Sequence, residues 1–179
     1  MSTETTNTAT SDIDISRVNR ENMTLWLTAL RSGEYGQGIS YLKTHEDKFC
    51  CLGVACEVAM KNGVGVTIDN ESTEGPVPFY RFHQVAQVTE GGFTHAPSSR
   101  THMLPAVAEW LGVDSNGDLV LPVEVLSESE RADYIGRHGK HKTQVGATFL
   151  NDEFRWSFGQ IADAVEKTYL PGPAEAVAA

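Results

Sequence analysis

Four glycines stand where apolar, helically spaced runs break off: Gly33, Gly63, Gly112 and Gly139. A helix ends readily on a residue in the left-handed region, which glycine enters without steric cost. This punctuation divides the chain into short helices. The first predicted helix covers 17–32 and carries Val18, Asn22, Leu25, Trp26, Ala29 and Leu30 on one face. The second covers 50–62, with Cys51, Leu52, Ala55, Val58 and Ala59 as its buried stripe. Gly53 lies inside that helix, where glycine costs about 1 kcal/mol relative to alanine. A glycine kept there points to close approach by another backbone segment.

Helix starts are equally legible. Pro105 opens a helix that closes before Gly112. Ser127 with Glu130 and Ser157 with Gln160 form capping boxes, the second flanked by Trp156 and Ile161 as a hydrophobic staple. Between the helices, 64–68 and 77–82 read as short strands, the turn at Asn116-Gly117 leads into another, and 83–103 reads as long and irregular. The expected class is α+β: a single, mainly helical domain of about five helices with a small sheet of short strands.

The polar segment 1–16 cannot bury enough apolar surface to offset its ordering entropy and reads as a disordered N-terminal tail. Residues 171–179 begin with Pro-Gly-Pro and read as a flexible C-terminal tail. The stretch 17–170 is left as one globular domain, roughly 155 residues, an ordinary size for a single core. No stretch approaches the ~20 apolar residues of a membrane span, and the N-terminus lacks the basic and apolar regions of a signal peptide. The expected address is cytoplasmic.

The formal net charge is −10, from 14 basic and 24 acidic residues. Such a chain is repelled by nucleic-acid phosphates unless it concentrates a basic patch. The one dense cluster is Arg137, His138, Lys140, His141 and Lys142, which reads as a solvated helix end. A nucleic-acid partner is therefore not expected.

Three cysteines, Cys50, Cys51 and Cys56, are too few and too close for a disulfide framework. Their spacing does not suit zinc, and their apolar neighbours suit burial as reduced thiols. No metal or cofactor is expected. Cys50 at a helix N-terminus, with His45, His83, His95 or His102 as base, is the alternative of a small hydrolase; a nuclease using a histidine-bound metal is another. No G-x-S-x-G elbow is present, and no catalytic residue is assigned.

The stretch "SGEYGQGISYL" (32–42) holds the best ligand candidate. Gly36 and Gly38 leave backbone N–H groups free to form an anion nest, although no strand precedes them and no Gly-Lys-Ser/Thr ending follows. Arg31 and Lys43 flank the loop. Tyr35 and Tyr41 could stack on a base whose edge Gln37 reads. The candidate set is Arg31, Tyr35, Gln37, Gly38, Tyr41 and Lys43. The competing reading is a tight chain reversal in which the tyrosine rings pack.

In order, "ALRSGEYGQGISYL", "FCCLGVACEVA", "LPAVAEWLG", "FLND" and "SFGQIADAVE" resemble a family of small uncharacterised proteins of bacteriophages and prophages. The resemblance spans about 23–167, excluding the loop around 83–102, and Cys-Cys-Leu-Gly-Val is its most specific part. Members often carry a basic residue near Gly36 to Ile39; this chain has none, which weakens the anion nest. The resemblance implies an accessory protein of the host cytoplasm, non-enzymatic, binding a host protein or a nucleotide-like ligand. A virion-associated structural role is a third reading, and self-association stays open.

Overall fold

The helix ends fall where glycines and caps put them. The computed structural model describes residues 13–69, 80–85, 88–89, 92–93, 97–114 and 117–172. In chain order the elements are α1 (Arg20–Arg31), β1 (Gly36–Gln37), β2 (Lys48–Phe49), α2 (Cys51–Lys61), β3 (Val66–Asp69), β4 (Arg81–Gln84), β5 (Val88–Thr89), β6 (Gly92–Phe93), β7 (Ser98–Ser99), α3 (Pro105–Leu111), β8 (Val120–Pro122), α4 (Glu128–His138), β9 (Gln144–Gly146), α5 (Ala147–Asp152) and α6 (Phe158–Tyr169), with a 3-10 turn at Val123–Val125. The class is α+β in one domain. Of the expected strand over 77–82, residues 77–79 lie outside the described residues, and β4 begins at Arg81. Most of the two tails, the loop 70–76, His95 and Asn116 lie outside the described residues.

Local chemistry accounts for the helix limits. Asn19 caps α1 by accepting from the Asn22 N–H at 3.1 Å. Both capping boxes are formed: Ser127 with Glu130 on α4, and Ser157 with Gln160 on α6. Gly112 ends α3 at φ +71°, and a side chain there would also collide with the Arg17 carbonyl.

α2 is the central helix. It packs against α1, α3, α5 and β3, and eight of its eleven residues are buried. Its burial therefore runs round most of the helix, beyond the single stripe expected. α1 buries Met23, Trp26, Leu27 and Leu30, whereas Leu25 stays exposed. The expected face was rotated, because two overlapping apolar stripes are available and contact with α2 and α6 selects one. The Trp26 indole N–H, inside the core, donates to the Cys51 carbonyl at 3.0 Å.

The strands form separate small sheets: β3–β4–β7 antiparallel, β8–β9 antiparallel, β5–β6 antiparallel and β1–β2 parallel. The short helix α5 was not expected. It has six residues and no side-chain cap, so its sequence carries little local signal.

The close approach read from Gly53 is present. A Cβ built there would lie inside the envelope of the Leu42 carbonyl oxygen. Gly136, in the middle of α4, meets nothing within 4 Å. Gly53→Ala should therefore lower unfolding stability by about 3 kcal/mol or more, and Gly136→Ala should raise it by about 0.5–1 kcal/mol. Urea denaturation of the two variants beside the parent chain measures both.

Candidate functional site

The glycine loop is held by polar groups from the far end of the chain. Gly33 (φ +76°) turns the backbone out of α1. β1 then runs parallel to β2, with Gly36 opposite Lys48 and Gln37 opposite Phe49. The Gly38 N–H donates to the Phe49 carbonyl at 2.7 Å. A side chain at Gly38 would press on the Lys48 Cβ at 3.0 Å. The Gln37 Nε2 donates to Asn151 Oδ1 at 2.9 Å and to the Trp156 carbonyl at 2.7 Å, and its Oε1 accepts from the Phe158 N–H at 3.2 Å. Asn151, fully buried, donates from Nδ2 to the Gly38 carbonyl at 2.9 Å and to Asp152 at 2.6 Å. Asp152 accepts from the N–H of Ser40, whose φ is +67°. The polar groups of Gln37 are thus committed to α5 and α6, and the Gly38 N–H is spent on β2.

A second arrangement lies on the other side of β2. The Tyr35 ring meets Phe49 edge-on at 5.3 Å, and the Lys61 ammonium donates to the Tyr35 oxygen at 3.0 Å. The Lys43 ammonium sits 4.9 Å from the Phe49 centroid and 5.1 Å from that of Tyr80. Tyr80 stacks on His45 at 4.7 Å, with 22° between the planes. The result is a strip in which each of two ammonium groups is followed by a pair of rings: Lys61, Tyr35, Phe49, Lys43, Tyr80, His45. Each contact is of the cation–π or stacking kind. Lys43 is held down, its side chain only 15% exposed, by Asp47 at 3.1 Å. His45 is exposed at the end of the stack.

Of the candidate residues, the structure joins Tyr35 and Lys43 through Phe49. Gln37 and Gly38 belong to the loop anchor. Arg31 turns to α6, pairing with Asp163 at 2.7 Å and Glu166 at 2.6 Å. Tyr41 is half-buried, and its carbonyl accepts from the Cys50 N–H at 3.3 Å. The strip members Phe49, Lys61 and Tyr80 were not foreseen. They come from separate segments, and no spacing in the sequence links them.

The three cysteines are reduced and buried. Cys50 caps α2, where the helix dipole favours thiolate, but burial dominates and pushes its thiol up to about 12. Cys56 is likewise pushed up to about 12, and Cys51 well above its ordinary value, both by burial. At neutral pH these are thiols rather than nucleophiles. The described histidines do not gather round them: His45 stacks on Tyr80, His83 lies 3.1 Å from Asp69, and His102 contacts Thr101 at 2.8 Å. Among the described residues, no group of three or more His, Cys, Asp or Glu side chains is placed to hold a metal ion, and no helix is long and apolar enough to cross a membrane.

A cavity of about 130 Å³ opens where Asp14, Asp114, Asp118, Gln144 and Tyr169 meet. Asp118 is engaged in the fold. It accepts from the Thr148 hydroxyl, from the Thr148 N–H at 3.2 Å and from the Leu119 N–H at 2.8 Å. Its carboxyl is raised above the ordinary value, desolvation outweighing these bonds. A side chain at Gly146 would strike this carboxylate. The group therefore ties the start of β8 to α5.

A family model described as a domain of unknown function, DUF8296, matches residues 18–169. The chain belongs to this family. No curated protein and no solved structure matches it. The matched span takes in the loop anchor, the described part of the ring-and-lysine strip and the three buried thiols of this DUF8296 domain.

Asn151→Ala should destabilise the domain by about 2–3 kcal/mol, because it strands the Gly38 carbonyl and removes one of the two acceptors of the Gln37 amide; thermal and urea unfolding of the variant test this. Asp118 gives a pH-dependent counterpart. A carboxyl raised in the folded state binds its proton more tightly there than in the unfolded chain. Its contribution to stability is present below the unfolded value, ordinarily 3.8, and is lost as pH rises through the raised folded value. Asp118→Asn removes that loss. The stability of the parent chain minus that of the variant should fall as pH rises through this window, as read by urea denaturation at a series of pH values.

Proposed function

We propose that this DUF8296 chain is a non-enzymatic, phage-type accessory protein of the host cytoplasm that binds a small nucleotide-like ligand. The binding face is the strip Lys61–Tyr35–Phe49–Lys43–Tyr80–His45. The observation that carries this reading is the Lys43 ammonium lying between two rings, 4.9 and 5.1 Å from their centroids, with His45 stacked beyond Tyr80. A nucleobase extends such a stack by lying on the exposed imidazole face, since aromatic stacking tolerates any base. Lys43, Lys48 and Lys61 supply ammonium groups for the phosphate. Each now pairs with a carboxylate, Asp47, Glu46 or Glu57, for which the phosphate competes; the Lys48–Glu46 pair, exposed on both sides, is worth only about 0–1 kcal/mol and yields at small cost.

The non-enzymatic part of the reading is supported by the burial of every thiol and by His45, His83 and His102 being engaged with Tyr80, Asp69 and Thr101. The phage context rests on the sequence resemblance.

Isothermal titration of the full chain with adenosine, guanosine, cytidine and uridine monophosphates tests the site. Saturable binding is expected, weakened by about tenfold or more in Tyr80→Ala, in line with a stacking contribution of about 1–3 kcal/mol per base. Absence of binding to all four at millimolar concentration, or unchanged affinity in Tyr80→Ala and Lys43→Gln, would sink the proposal.

A further inference from the structure

The strip from Lys61 to His45 contains one unit twice. At one end the exposed Lys61 ammonium lies 5.2 Å from the Tyr35 ring centroid. In the middle the Lys43 ammonium lies 5.1 Å from that of Tyr80. Tyr35 and Tyr80 are both partly exposed, and His45 is exposed beyond Tyr80. Phe49, buried, floors the gap between the units: its ring meets that of Tyr35 at 5.3 Å and the Lys43 ammonium at 4.9 Å. Along the face, the groups that reach the surface run cation, ring, cation, ring.

Backbone bonds fix the two units relative to each other. Lys43 forms an antiparallel bridge with Phe49. The Thr44 N–H donates to the Lys48 carbonyl at 2.8 Å, and the Tyr80 N–H to the Lys43 carbonyl at 3.0 Å. Thr44 is buried between Lys43 and His45. On the α2 side, the Lys61 ammonium is tied to the Tyr35 oxygen at 3.0 Å. A ligand that meets both units in one molecule finds them already spaced, and its second contact forms at the effective concentration set by the link.

Both ends of the strip are acidic. Glu57 stands 3.7 Å from Lys61, and Glu46 and Asp47 follow His45 directly and are exposed. A phosphate placed beyond either end meets these carboxylates on a chain of net charge −10 and is repelled. A single nucleotide fills one unit and leaves the other open. A third nucleotide adds a phosphate for which the strip holds no third ammonium group.

We propose that the strip is a dinucleotide site, taking two nucleosides joined by one phosphodiester with a further phosphate at the 5′ end. The proposal rests on the reading of the same face as a nucleotide site and deepens it. The terminal phosphate faces Lys61, and the first base covers Tyr35. The bridging phosphate faces Lys43, where it competes with Asp47, and the second base lies on His45 and Tyr80. Stacking tolerates any base at either station, so the order of charges and rings selects the ligand.

The test is isothermal titration of the full chain with adenosine monophosphate, 5′-phosphorylated adenylyl-adenosine and the 5′-phosphorylated trinucleotide of the same base. The dinucleotide should bind about tenfold or more tightly than the monophosphate, as one added stacked base supplies, and the trinucleotide should gain nothing further. The affinity ratio of dinucleotide to monophosphate should fall about tenfold in Tyr35→Ala and about twofold or more in Lys61→Gln, whereas Tyr80→Ala should weaken both ligands. Circular dichroism melts report whether each variant is folded. A monophosphate bound as tightly as the dinucleotide would overturn this proposal and leave the nucleotide reading standing; no binding of either would overturn both. An affinity ratio unchanged in the folded Lys61→Gln chain, or a trinucleotide bound about tenfold more tightly than the dinucleotide, would also overturn it.

Discussion

Gly53 lets the backbone at Leu42 rest directly on α2, with no side chain between the two. That contact sets the height of the segment from the glycine loop to β2 above the central helix. Lys43 follows Leu42 at once, and Tyr80 is held to the same strand because its N–H donates to the Lys43 carbonyl at 3.0 Å. Phe49 is fixed by β1 and by its bridge to Lys43. The spacing of ammonium and rings on the proposed ligand face therefore follows from one backbone-on-backbone packing. A methyl group at position 53 would push the segment outward and disturb stack and core together.

A second constraint comes from Asn151. A fully buried amide must find partners for its donors and acceptor, or it costs the desolvation of each. Here the partners are Gln37, the Gly38 carbonyl and Asp152. The network closes the glycine loop onto α5 and the start of α6. Two N–H groups that an anion nest in that loop would use are committed inside the fold: the Gly38 N–H donates to β2 and the Ser40 N–H to Asp152. The loop positions the neighbouring rings, and its own polar atoms are consumed in doing so.

Burial decides the chemistry of the remaining reactive groups. Cys50 occupies a helix cap, a setting that lowers a thiol in an accessible site, yet desolvation raises it to about 12. Asp118 accepts three hydrogen bonds, and desolvation still raises it. In both, removal from water outweighs favourable local dipoles, since those act only on the charged form that burial disfavours.

The sequence by itself determined what is local. Glycine at helix ends, proline at the start of α3 and the two capping boxes depend on residues within one turn of each other, and those elements appear close to where they were expected. The class, α+β and mainly helical, follows from them. Gly53 announced that something approaches α2, but not that it is Leu42, because nothing in the helix encodes its neighbour. The choice of apolar face on α1, the uncapped helix α5 and the two-residue pairing of β1 with β2 needed the tertiary structure. Each is stabilised by partners distant in the chain, such as Gln37 and Asn151. The same holds for the candidate site. Tyr35 and Lys43 were visible in the sequence as ring and cation, but Phe49, Lys61 and Tyr80 join them only after folding, because cation–π and stacking contacts depend on distance in space and leave no periodicity along the chain.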